Sequence, residues 1–92
     1  MLAFLVCFDI SDDRMRYRVG KELAHYGLRV QRSVFEITLR SGEELTALQK
    51  TLRPWVEDDD DLRFYPLCRA CRQKAISVDG ARVAAFPAAV LV

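Results

Sequence analysis

Met1-Leu2-Ala3-Phe4-Leu5-Val6-Cys7-Phe8-Asp9 opens the chain, and its reading decides the fold. Leu2, Phe4, Val6 and Phe8 alternate with Ala3, Leu5 and Cys7, so an extended segment here is apolar on both faces. A strand of that kind lies in the interior of a covered sheet. Asp9 is then the first charged side chain, placed at the strand's carboxyl end, where the chain leaves through Ile10-Ser11-Asp12-Asp13 toward a helix. Carboxylates at such exits can hold a metal ion or orient a nucleophile, because rigid backbone supports them and solvent reaches them. The same position also suits a residue that merely caps the strand or the next helix.

Outward from this strand the elements alternate. Asp12 or Asp13 caps a helix running to about Tyr26, with Met15, Val19, Leu23 and Tyr26 as its buried stripe and Arg14, Arg18, Lys21 and His25 along an exposed one. Gly27 is the expected stop. Two strands follow, Leu28 to Gln31 and Val34 to Leu39, joined at Arg32-Ser33. In the second, Phe35, Ile37 and Leu39 alternate with Glu36 and Thr38, the pattern of a half-buried strand. Ser41-Gly42-Glu43-Glu44 is a capping box that opens a helix burying Leu45, Leu48 and Leu52, ended by Pro54. The acidic run Glu57 to Asp61 reads as a solvated turn. Leu62 to Leu67 is a fourth strand, whose Pro66 belongs at an edge or a strand end. Ala75 to Val78 reads as a short extra strand before the Asp79-Gly80 turn.

This order predicts an α+β fold, a ferredoxin-like βαββαβ unit with an extra C-terminal strand and an antiparallel sheet whose first and third strands are central. Residues 1–78 form the domain, and 79–92 form an apolar tail. Helices cover one face of such a sheet, which leaves the other for a second copy of the chain. A homodimer with the tail from Val83 to Val92 packed on the partner is the expectation, reinforced by length: a chain of 92 residues buries roughly 60–65% of its unfolded surface and is marginal alone.

Composition narrows the function classes. With 51% hydrophobic and 29% charged residues, the chain is a folded domain and not a disordered segment. Its opening apolar run is too short to span a bilayer and lacks a basic leader and cleavage site, so a cytoplasmic protein without a membrane partner is expected. The net charge of +1 conceals segregation. Arg14, Arg16, Arg18, Lys21, Arg29, Arg32 and Arg40 face Glu22 and Glu36, whereas Glu43, Glu44 and Glu57 to Asp61 face Lys50 and Arg53. A nearly neutral chain can thus carry a basic surface suited to phosphates, or two solvated faces with no partner. Cys7 falls in the core strand. Cys68-x-x-Cys71 has zinc-ligand spacing but no second pair to complete a site, and no strand-to-helix context is evident for a redox pair, so reduced thiols are expected.

The run Phe8-Asp9-Ile10-Ser11-Asp12-Asp13-Arg14-Met15-Arg16-Tyr17-Arg18-Val19 resembles the opening motif of the CRISPR-associated protein 2 family: a strand ending in Tyr-Asp-Ile, a Ser/Thr-Asp-Asp turn and an Arg-rich helix. Tyr26-Gly27-Leu28-Arg29-Val30-Gln31, Ser33-Val34-Phe35-Glu36 and Arg63-Phe64-Tyr65-Pro66-Leu67-Cys68 agree with further family segments, in the right order over residues 1 to about 78. Paired cysteines such as Cys68 and Cys71 are frequent there. Phe8 departs from the usual tyrosine and removes a hydroxyl beside Asp9, and Arg32 stands where another tyrosine is common.

The resemblance implies a ferredoxin-like homodimer in which the motif aspartates of two subunits face each other and share a magnesium ion. By position that ligand, and the catalytic residue, is Asp9. Arg16, Arg18, Arg29 and Phe35 match positions implicated in nuclease activity or nucleic-acid contact. Two roles are attached to the family: metal-dependent cleavage of single-stranded RNA or duplex DNA, and a complex with the CRISPR-associated integrase in spacer acquisition. The chain is therefore expected to be a magnesium-dependent endoribonuclease, with a non-catalytic DNA-binding adaptor bridging integrase dimers as the alternative. The residues qualify this. Arg16 and Arg18 are two apart on a helix and share no stripe, and Phe35 has the pattern of a core aromatic.

Overall fold

The computed structural model describes residues 1–83. Strands β1 (Leu2–Asp9), β2 (Gly27–Gln31), β3 (Val34–Leu39) and β4 (Asp61–Leu67) form one antiparallel sheet in the order β2-β3-β1-β4. Helices α1 (Asp13–Leu23) and α2 (Gly42–Leu52) connect β1 to β2 and β3 to β4, and a short helix α3 (Arg69–Gln73) follows β4. The first and third strands are central, as the sequence predicts. Pro66 sits on the edge strand β4, the place in a sheet that tolerates proline.

One continuous core joins the sheet to both long helices. Phe4, Val6 and Phe8 of β1 and Phe35, Ile37 and Leu39 of β3 point to the side on which Val19, Leu23, Leu48 and Leu52 pack. Phe4 meets Phe64 edge-on, with ring centroids 6.0 Å apart, and Phe8 stacks on Phe35 at 6.2 Å. Each such buried side chain contributes about 1.5–3 kcal/mol. The opposite face carries half-exposed apolar groups instead: Leu5 and Cys7 on β1, Leu28 on β2, and Tyr65 on β4.

The caps follow the local chemistry. Asp12, not Asp13, is the α1 cap, its Oδ1 accepting from the Met15 N–H at 3.0 Å. Ser41 accepts from the Glu44 N–H at 3.2 Å, while the Glu44 carboxylate reaches back one residue further than expected, to the Arg40 N–H at 2.7 Å.

Several expectations need correction. Helix α1 ends at Leu23 because His25 and Tyr26 turn back onto the Glu22 and Leu23 carbonyls, and the Tyr26 carbonyl is already taken by Thr38 of β3. Gly27 is no helix stop: it belongs to β2 without a positive φ, and a Cβ there would lie 1.9 Å from the Glu36 carbonyl oxygen. Close approach of β2 to β3 requires it. Residues Ala75 to Val78 form no strand of the sheet. Ile76 makes an isolated bridge to Arg82 across a turn in which Gly80 has φ 90°. Cys68 caps α3 directly after β4, so the cysteine pair does occupy a strand-to-helix junction. Of the tail assigned to the partner's surface, residues 84–92 lie outside the described residues.

Candidate functional site

Two clefts flank the carboxyl end of β1, and Phe8 lines both. The first, about 230 Å³, lies on the helix side and is lined by Phe8, Asp13, Arg16, Tyr17, Arg29 and Arg32. Arg16 reaches it from α1 and donates through Nη1 to the Ile10 carbonyl at 2.7 Å, with an ion pair to Asp13. That bond holds the exit of β1 against the first turn of α1. Arg29 comes from β2. Its guanidinium stacks 4.9 Å from the centroid of Phe35 and donates to the Arg32 carbonyl at 2.6 Å. Gly20 makes room for it, since a Cβ there would meet an Arg29 nitrogen at 2.8 Å. Three arginines thus line one recess, two of them, Arg16 and Arg29, held in fixed orientations, which is what bidentate recognition of phosphate requires.

Phe35 is 1% exposed. It cannot touch a nucleic acid, and its assignment as a contact residue is corrected: it is the ring on which Arg29 rests. Arg18 lies apart from Arg16, as their two-residue spacing on the helix implies. It lies 5.0 Å over the Trp55 ring and lines a separate surface recess with Arg14, Tyr17 and Lys21. Tyr17, 67% exposed, borders both recesses and has Lys21 Nζ 5.8 Å from its ring centroid. The Arg-rich helix signals charge in the sequence, but nothing in its pattern marks the aromatic between its arginines as a site residue.

The second cleft, about 260 Å³, is lined by Cys7, Phe8, Asp9, Asp61, Arg63 and Tyr65. Asp9 ends β1, exposed, directly opposite Asp61 in the β1–β4 ladder. Like charges in that position destabilise a sheet. Two features offset the cost. Arg63 donates through Nη1 to the Tyr65 hydroxyl at 3.1 Å and through Nε to Asp61 Oδ2 at 2.9 Å, and these contacts, Tyr65 first, raise the guanidinium's pKa further. Asp60 ties the two loops together, accepting from the Glu57 N–H at 2.9 Å and from the Ser11 N–H at 3.1 Å and hydroxyl at 3.2 Å. Those backbone N–H groups, Glu57 first, hold the Asp60 carboxyl below the usual carboxylate range. The acidic run is therefore not simply a solvated turn.

In the recesses formed by the described residues, Asp9 is placed apart from Arg16, Arg18 and Arg29. Asp9 stands opposite Asp61 of β4, a partnership with no local sequence signal. Among the described residues no group of three or more His, Cys, Asp or Glu side chains comes together. Asp9 and Asp61 offer two hard oxygen donors beside open solvent. Magnesium suits such a pair, because it keeps several waters and takes one or two carboxylates together with substrate phosphates.

The family model for CRISPR associated protein Cas2 matches residues 1–75. The chain is 47% identical over 68 residues to the CRISPR-associated endoribonuclease Cas2 3 of Synechocystis sp., covering 73% of each chain. It is 41% identical over 76 residues to the CRISPR-associated endoribonuclease Cas2 1 of Chloroflexus aurantiacus, covering 77% of each. Its fold superimposes on a chain of the solved partial Cas6-RT-Cas1–Cas2 complex with a TM-score of 0.82 and 27% identity, covering 94% of this chain and all of the other.

Proposed function

The chain belongs to the CRISPR associated protein Cas2 family, and from that premise we propose that it is a magnesium-dependent endoribonuclease of CRISPR adaptation, acting as a ferredoxin-like homodimer beside the CRISPR-associated integrase. The observation that carries this is the Asp9–Asp61 pair at the carboxyl end of a rigid central strand, with an arginine-lined recess on the strand's other side. The names of the relatives support nuclease chemistry, and the Cas1–Cas2 assembly containing the structural neighbour supports the integrase as partner.

Each side chain has a role in this reading. Arg29 and Arg16 fix the backbone phosphates, with Arg32 adding charge, and Tyr17 offers a face on which an unpaired base stacks. Arg18 steers the strand from the adjoining recess. Asp9, with Asp61, would hold magnesium, and Arg63 orients Asp61. A bound magnesium supplies charge that lowers the pKa of a coordinated water and polarises a phosphate oxygen. Two carboxylates form a thin donor set, to which a second chain would add its own Asp9, with water and substrate phosphate supplying the remaining oxygens. The half-exposed apolar face around Leu5, Leu28 and Tyr65 suits that dimer.

The test is cleavage of single-stranded RNA and of duplex DNA by the purified protein, with magnesium and with chelator, alongside Asp9→Asn. Cleavage of RNA that needs both magnesium and the Asp9 carboxylate is expected. An Asp9→Asn protein as active as its parent would reject the assignment. A second reading, a non-catalytic adaptor, is favoured by the contrast between a complete basic recess and a two-carboxylate donor set within one chain. It predicts that parent and Asp9→Asn both bind duplex DNA and neither cleaves.

A further inference from the structure

The cysteine pair at the end of β4 lies outside both clefts and has no part in the chemistry above. Cys68 and Cys71 are both exposed, and both are free thiols. Cys68 precedes α3 and Cys71 lies within its first turn, so the two occupy successive levels of a helical turn. Helix geometry separates residues three apart by roughly 5 Å between Cα atoms. Disulfides span about 4.4–6.8 Å between Cα atoms, so closing this pair requires little backbone movement. The Cys68 sulfur also accepts from the Cys71 N–H at 3.2 Å.

We propose that Cys68 and Cys71 are a redox-active dithiol, closed into an intramolecular disulfide by low-molecular-weight disulfides and reopened by thiols, with Cys68 as the attacking sulfur. The hydrogen bonds support this polarity. The Cys71 thiol, and then its backbone N–H, hold Cys68 below the ordinary thiol range, while donation to Cys68 pushes Cys71 up. A thiolate stabilised in this way attacks first, and its neighbour resolves.

The exchange balances with the small disulfide as oxidant. The Cys68 thiolate forms a bond to one of its sulfurs. The old sulfur–sulfur bond breaks, and its electron pair leaves with the first small thiolate, which takes up a proton. Cys71 then loses its proton to solvent and attacks the Cys68 sulfur, releasing the second small thiolate. Two protein thiols are oxidised and one small disulfide is reduced to two thiols. A metal role fits less well, because no third ligand stands near the pair among the described residues.

The closed bond would fix the first turn of α3, the helix that carries Arg72. Arg72 bears on Glu36 of β3: burial raises the Glu36 pKa and the Arg72 charge opposes that rise. Oxidation therefore acts on the helix whose Arg72 charge is felt by Glu36 of the sheet.

The experiment uses the full-length reduced protein. With iodoacetamide near neutral pH, Cys68 is expected to be alkylated about tenfold faster than Cys71 or Cys7. With oxidised glutathione, the intact mass should fall by two hydrogen atoms, and peptide mapping should place the link between Cys68 and Cys71. Cys71→Ser, checked for native circular dichroism, should instead retain one glutathione on Cys68. A link involving Cys7, glutathione retained on both residues of the parent without an internal bond, or equal alkylation rates at Cys68 and Cys71 would overturn the proposal. So would stoichiometric zinc that survives gel filtration and shields both thiols.

Discussion

Arg16, Arg29 and Arg32 line a recess on the helix side of β1 whose supports all come from one chain: the Ile10 and Arg32 carbonyls, the Phe35 ring and the bare α-carbon of Gly20. On the sheet's other side, Asp9 and Asp61 bring two carboxylates together, and the cation beside them, Arg63, bonds Asp61 and Tyr65. The first region is finished by folding. The second has a pair of ligands where a metal needs more oxygen donors. Binding and chemistry are therefore separable in this molecule, although both depend on where β1 ends.

The strongest way to break the distinction is through the core they share. Phe35→Ala removes a fully buried ring and the platform of Arg29, and should cost about 3–5 kcal/mol. Urea unfolding should show that loss, with binding and cleavage failing together. A variant as stable as its parent would mean that Phe35 is not the support described.

Arg29→Ala sharpens the comparison. It should weaken RNA binding roughly tenfold, equally across sequences, and lower the slope of log affinity against log salt by about one. Filter binding over a salt series reads both. An unchanged slope would remove Arg29 from the phosphate surface.

Gly20→Ala should have a smaller effect. Alanine is favoured over glycine in a helix by about 0.8–1 kcal/mol, so the fold should hold or gain stability. The new methyl group displaces the Arg29 guanidinium, and binding should fall a few-fold. Weaker binding in a protein that melts no earlier would separate positioning from stability, and unchanged binding would show that Arg29 adjusts freely.

The smallest effect is on pH dependence. The Asp60 carboxyl is held below its ordinary value of about 3.9 by donors present in the folded chain. Its contribution is thus present above that value and lost as pH falls through the lower folded pKa. Thermal melts should show Asp60→Ala less stable than its parent near neutrality, with the two converging in acid. A gap constant across the acid range would contradict the role of Asp60 in joining the Ser11 loop to the turn before β4.

The fold was legible where side chains follow a period. The alternation from Val34 to Leu39 gave β3 its observed limits, and the apolar run from Leu2 gave a central strand. Helix α3 leaves no sequence signal, because five residues carry no periodicity and its cap is a cysteine. Gly27 reads as a helix stop because its reason, the backbone of the paired strand β3 at Glu36, leaves no mark in the local sequence. The same limit applies to function. Arg29 could be named from its motif, but its support by Gly20 and Phe35 exists in three dimensions alone. Asp61 lay within an acidic run, and its register opposite Asp9 made it a site residue.

The separation of binding from chemistry is tested most directly by single-turnover cleavage of single-stranded RNA in magnesium, at protein concentrations up to saturation, for the parent, Asp9→Asn and Arg29→Ala. Asp9→Asn should bind within about twofold of its parent and cleave at least about 100-fold more slowly, beyond what loss of an outer-shell metal partner costs. Arg29→Ala should need more protein to saturate and then cleave at the parent's rate. If the saturated rates of Asp9→Asn and the parent agree, or if Arg29→Ala at saturation is as slow as Asp9→Asn, the two clefts do not divide the work as described.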